Sequence, residues 1–109
     1  MFVDCRTYGG SCGCGREHYM ETKGAIIEPG CLLEFERHMT DFGISGKRCA
    51  LYGENSYAAA EGRRPRAGQE IVLDPRGLHA DERSTAEVLS KLDGDIEVIT
   101  AVGSGTIHD

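Results

Sequence analysis

Apolar and polar positions alternate along this chain in short blocks, and the blocks change period as they go. The first two dozen residues are weakly patterned; Ala25 to Ile27 then form a small apolar run that reads as a strand, ended by Pro29 and Gly30. In "CLLEFERHMTDFG", Leu32, Phe35, Met39 and Phe42 recur at intervals of three, four and three. That spacing places them on one face of a helix, with Gly43 as its stop. "KRCALYG" is a compact strand, "NSYAAAEG" a short helix and "EIVLD" another strand. The segment Glu82 to Leu92 reads as a helix with Asp81 or Ser84 as N-cap and Val88, Leu89 and Leu92 on its buried side. "IEVITAV" is the last strand.

The predicted order is strand, helix, strand, short helix, strand, helix, strand. Nearly continuous apolar strands separated by helices predict an α/β fold in which a mostly parallel sheet is buried on both faces. Ligands of open sheets of this kind bind beyond the carboxyl ends of the strands, so the informative residues should follow Tyr52, Asp74 and Val102.

Composition narrows the class. With 109 residues the chain has room for one small core, and 39% apolar with 28% charged residues describes a globular protein, in which fifteen glycines imply many turns. A net charge of −6 argues against a nucleic-acid partner, because neutralising phosphates takes clustered Lys and Arg. The basic cluster Arg63, Arg64 and Arg66, broken by Pro65, reads as a solvated loop. No apolar stretch reaches the ~20 residues that span a bilayer, and the N-terminus lacks the order of a signal peptide. These features predict a cytoplasmic protein without a membrane partner, whose five cysteines are free thiols.

Candidate chemistry is concentrated at the two ends. Gly103, Ser104 and Gly105 follow the most apolar strand, where the lack of bulky side chains lets backbone amides approach a phosphate. A plain tight turn is the competing reading, since the third glycine position of G-x-G-x-x-G falls on His108. Near the N-terminus Cys12, Cys14 and His18 form C-x-C-x-x-x-H, to which Cys5 could add a fourth zinc ligand; the alternative is a flexible cysteine-bearing segment. Cys31 and Cys49 read as small core residues, His38 as solvated on the polar face of its helix, and His79 as a loop residue without a catalytic neighbour. His108 either touches a phosphate at the glycine turn or is simply solvated.

Three stretches, "AVGSGTIHD", "GENSYAAA" and "CGCGREHYMETKGAIIEPG", together resemble the N-terminal part of the sn-glycerol-1-phosphate dehydrogenase family. That family is a branch of the iron-containing alcohol dehydrogenase, glycerol dehydrogenase and dehydroquinate synthase superfamily. The resemblance runs from about Cys12 to Asp109. After the Gly/Cys-rich segment over 1–24, it implies a three-layer Rossmann-like domain over 25–109, incomplete relative to the family, that binds NAD or NADP. The cofactor pyrophosphate would lie on Gly103, Ser104, Gly105 and Thr106, with Asp109 in the same cleft. Where the family usually places an Asp at the adenosine end, this chain has Gly53, followed by Glu54 and Asn55. The family's divalent metal, such as zinc, is held by an Asp and two His of a helical domain that has no counterpart here. The resemblance therefore implies the dinucleotide-binding portion of an oxidoreductase that interconverts dihydroxyacetone phosphate and glycerol 1-phosphate, inactive alone. The alternatives are a stand-alone nucleotide- or phosphate-binding module and a structural subunit. An incomplete sheet that leaves Ile96, Val98 and Ile99 partly uncovered predicts a homo-oligomer or a partner chain.

Overall fold

Backbone hydrogen bonding in the computed structural model, which describes residues 1–109, follows the hydrophobic blocks closely after Phe35 and departs from them before it. The chain separates into two compact units, Met1–Glu34 and Phe35–Asp109.

The first unit is built from short antiparallel ladders. Strand β1 (Phe2–Asp4) pairs with β4 (Gly24–Ile26), Phe2 opposite Ile26, and β2 (Gly10–Ser11) pairs with β3 (Glu17–His18), Gly10 opposite His18. A 3-10 turn, Cys5–Tyr8, follows β1 and is capped by the Asp4 side chain, which accepts from the Arg6 amide. A second 3-10 turn spans Cys31–Glu34. The strand expected at Ala25 to Ile27 is present, but it is not the first strand of the parallel sheet. Three residues offer too few backbone groups for an interior strand, and the equally short β1 satisfies them in an isolated pair. No residue of this unit is fully buried.

The second unit carries the core. Helix α1 (Phe35–Asp41) ends in a Schellman motif: the Ile44 amide donates to the Met39 carbonyl and the Gly43 amide to the Thr40 carbonyl, with Gly43 at φ +68°. Strand β5 (Arg48–Gly53) leads into helix α2 (Glu54–Ala59), then strand β6 (Gln69–Leu73), helix α3 (Glu82–Lys91), strand β7 (Val98–Val102) and the single turn α4 (Gly105–His108). The three strands form a parallel sheet in the order β6-β5-β7, with Leu51 opposite Ile71 on one side and Ala101 on the other. The unit is thus α/β, with a three-stranded parallel sheet and four α-helices.

Alternation along β5 sorts its side chains onto two faces. Cys49 and Leu51, with Ile71 and Leu73 of β6, form the buried cluster on which Val88 and Leu92 of α3 and Ile107 of α4 pack. On the opposite face Ala50 and Tyr52 are fully buried, and the Tyr57 ring of α2 meets Tyr52 edge-on at 5.1 Å between centroids. Burying an aliphatic side chain of this size contributes about 1.5–3 kcal/mol. Only the central strand is buried on both faces; Val72 of β6 and Ile99 of β7 are exposed. Asp81 is the N-cap of α3, its carboxylate accepting from the Ser84 amide. Leu89, expected on the buried side of α3, is 65% exposed. The i,i+4 pair Val88 and Leu92 faces the sheet, and Leu89 sits about 100° around the helix from Val88.

Candidate functional site

The chain leaves β5 through α2 to its neighbour on one side, β6, and then crosses through α3 to β7 on the other. The connections therefore diverge between the carboxyl ends of β5 and β7, the place where open parallel sheets receive ligands. Gly53 ends β5 as N-cap of α2 in extended conformation. Ser56, in the first turn of α2, joins the two strand ends. Its Oγ accepts from the Gly53 amide at 3.0 Å and donates to the Val102 carbonyl at 2.6 Å. Sequence reasoning passed over Ser56; the available signal was a serine at the third helical position, able to reach back to the cap amide.

The glycine turn lies directly beside this bridge. Gly103 has φ +154°, and a Cβ there would stand 3.0 Å from Ile107 Cγ1 and 3.2 Å from Ser56 Oγ, so packing and backbone both demand glycine. Gly105 differs. Its φ is not positive, and a Cβ there would meet nothing within 4 Å. The amides of Gly105 and Thr106 fall in the first turn of α4, where helix geometry provides no intrahelical acceptor. Ser104, the N-cap, makes no side-chain capping bond.

Asn55, Ser56, Gly103 and Ser104 border one cleft of about 400 Å³, with Ile107 and Leu78 as its apolar wall. Thr106 and Asp109 instead border an adjoining groove of similar volume, mostly apolar, lined by Leu89 and Ile99 among others. Glu54 is exposed at the start of α2. The seven expected cofactor residues are thus spread along one edge of the sheet rather than gathered in a single cleft. His108 turns back on the loop: its Nδ1 is 2.9 Å from the Ser104 carbonyl, a geometry that requires the Nδ1–H form.

After β6 stands an exposed local ion pair. Asp74 accepts from the Arg76 amide at 2.9 Å and from Arg76 Nη2 at 2.7 Å, and these bonds hold its carboxyl down to about 2. In the basic cluster Arg63 and Arg66 are exposed, as expected of a solvated loop, and Arg64 is half-buried. Arg64 stacks on the Tyr57 ring at 3.4 Å and donates to the Tyr57 carbonyl, while Arg63 donates to the Ala59 carbonyl, so both satisfy the carboxyl end of α2.

In the first unit the β2–β3 hairpin brings Cys12, Cys14 and His18 together. Cys14 Sγ lies 3.1 Å from His18 Nε2, and the Cys14 amide donates to Cys12 Sγ at 3.3 Å. The hydrogen bonds from the Cys14 amide and then its side chain hold the Cys12 thiol below its ordinary range. Cys5 does not join them; it is half-buried, with its thiol directed to the Val3 carbonyl. All five cysteines are free thiols. Cys49 is a core residue whose thiol is pushed up by burial, whereas Cys31 is only half-buried. His38 is half-buried rather than solvated, its Nε2 shielded from water. His79 is exposed beside the apolar groove.

No helix is long and apolar enough to cross a membrane. No family model matches this chain, and no curated protein or solved structure shows significant similarity to it.

Proposed function

We propose that the second unit is a Rossmann-like binding module for a phosphate-bearing nucleotide, NAD or NADP, held at the carboxyl ends of β5 and β7. The observation that carries this reading is the contrast within the glycine turn. A side chain at Gly103 would be strained by the positive φ and would crowd Ser56 and Ile107, but neither φ nor packing explains Gly105. A ligand approaching the backbone closely supplies the missing reason. The amides of Gly105 and Thr106 and the Ser104 hydroxyl would hold the phosphates, with Asn55 and Glu54 toward the adenosine end. In this reading the chain acts as the nucleotide-binding part of an oxidoreductase resembling sn-glycerol-1-phosphate dehydrogenases, and the substrate and the metal belong to residues outside it.

Exposed Leu89 and Ile99 favour a second, compatible reading, in which another copy of the chain or a partner chain covers the apolar groove beside α3.

Titration of the purified chain with NAD and NADP, read by calorimetry and by thermal shift, tests the first reading, because a ligand that binds only the folded state raises apparent stability. Gly105→Trp is the control. The open space around this position lets the variant fold, and its indole should fill the phosphate approach. Saturable binding lost in the variant is the expected result; no binding at millimolar ligand, or equal binding by the variant, overturns it. Light scattering of the same samples over a wide concentration range reports assembly, and a constant monomer mass overturns the second reading.

A further inference from the structure

We propose that Cys12, Cys14 and His18 form a zinc site at the tip of the β2–β3 hairpin. Their ligand atoms lie within 4.8 Å of one another without any movement of the backbone. The arrangement follows from the local fold. Pairing of Gly10 with His18 brings the ends of the hairpin together, and the Cys12 amide donates to the Arg16 carbonyl at 3.2 Å while the Gly15 amide donates to the Cys12 carbonyl at 3.1 Å. Gly15, at φ +84°, lets the chain reverse so that both sulfurs and the imidazole fall on one side of the turn.

Two sulfurs and one imidazole nitrogen are a donor set that zinc accepts in tetrahedral geometry, and a soft sulfur pair disfavours magnesium and calcium. The Cys14 amide already donates to Cys12 Sγ, the kind of outer hydrogen bond that orients a sulfur toward a metal. With Cys5 directed to the Val3 carbonyl, three protein ligands leave the fourth tetrahedral position to water or an exchangeable ligand.

A second observation points the same way. Met1–Glu34 contains no buried residue, and β2 and β3 are two residues each. Polypeptides below about 40 residues rarely bury enough surface to hold their shape, and structural metals are a common remedy. Zinc binding would thus also order the hairpin.

The experiment is a cobalt titration of the full chain under reducing conditions, followed by displacement with zinc. One tetrahedral cobalt ion per chain is expected, with thiolate charge-transfer absorption in the near ultraviolet that zinc abolishes. Cys14→Ser and His18→Ala should each weaken binding by about 100-fold or more, since even outer hydrogen-bonding partners of metal ligands contribute 10–100-fold. Cys5→Ser and Cys31→Ser should bind as the parent does. In a parallel hydrogen-exchange measurement, zinc should slow the amides of Gly10 to His18. Octahedral cobalt, uptake that survives Cys14→Ser, or uptake that depends on Cys5 overturns the site. So does Cys12–Cys14 disulfide formation in air without metal uptake in reductant, which would make the pair a redox couple. None of these outcomes depends on whether the second unit binds a nucleotide.

Discussion

The two units use similar residues to opposite effect. In Phe35–Asp109 the apolar residues of β5, with Ile71 and Leu73 of β6, are shielded from water and each strand has a long parallel neighbour; in Met1–Glu34, Phe2, Tyr8 and Tyr19 remain largely exposed beside ladders of two or three residues. Hydrophobic residues alone therefore do not make a core. They need elements long enough to bury them, and where strands are short the structure rests on caps and turns.

The largest test of this contrast is truncation on either side of it. Leu51→Ala, at 8% exposure between β6 and β7, should cost about 2–5 kcal/mol of unfolding free energy by denaturant titration. Phe2→Ala, at 58% exposure, should stay within about 0.5–1 kcal/mol. Equal effects would mean that the first unit has a core of its own after all.

A smaller effect is expected at the glycine turn. Gly103→Ala forces a Cβ into the space of Ile107 and Ser56 at a positive φ, and should destabilise the second unit by about 1–3 kcal/mol. A neutral result by thermal melting would mean that the loop relaxes, and that Gly103 is no more constrained than Gly105.

The smallest test is electrostatic. The Ser84 amide lowers the folded-state pKa of the Asp81 carboxyl below its unfolded value. The stabilisation it provides is therefore fully present above the unfolded pKa, about 3.9, and is lost as pH falls through the lower folded value. Asn caps helices as well as Asp but does not titrate. Asp81→Asn should leave stability near neutrality almost unchanged and reduce its fall below about pH 4. An unchanged acid slope would show that this cap contributes nothing to it.

Legibility in the sequence followed element length. The run from Arg48 to Gly53, the stop at Gly43 and a cap at Asp81 or Ser84, of which the structure selects Asp81, are legible because each is a local rule, fulfilled within a few residues. Leu89 departs from the expected buried side because apolar character alone does not set burial: only the i,i+4 pair Val88 and Leu92 reaches the sheet. Ala25 to Ile27 was recognised as a strand but assigned to the wrong sheet, since its partner, β1, is too short to stand out. At the candidate site the glycine turn was legible as a motif, but the Ser56 bridge to Val102 was not, because it spans 46 positions of sequence. Of the basic cluster, Arg63 and Arg66 are exposed as a solvated loop predicts; the half-buried Arg64 differs because its partners, the Tyr57 ring and carbonyl, carry no sequence signature.

By itself, the sequence determined the strands and helices that follow Phe35, to within a residue or two, and that glycine follows the last strand. Those are decided by backbone conformation and periodicity over a handful of residues. The tertiary structure decided which strands share a sheet, that β5 lies between β6 and β7, that Gly103 is crowded by Ser56 and Ile107 while Gly105 faces open space, and that Cys5 stands apart from Cys12, Cys14 and His18. These depend on atoms brought together from distant positions, and contacts of that kind are set by packing the whole unit at once.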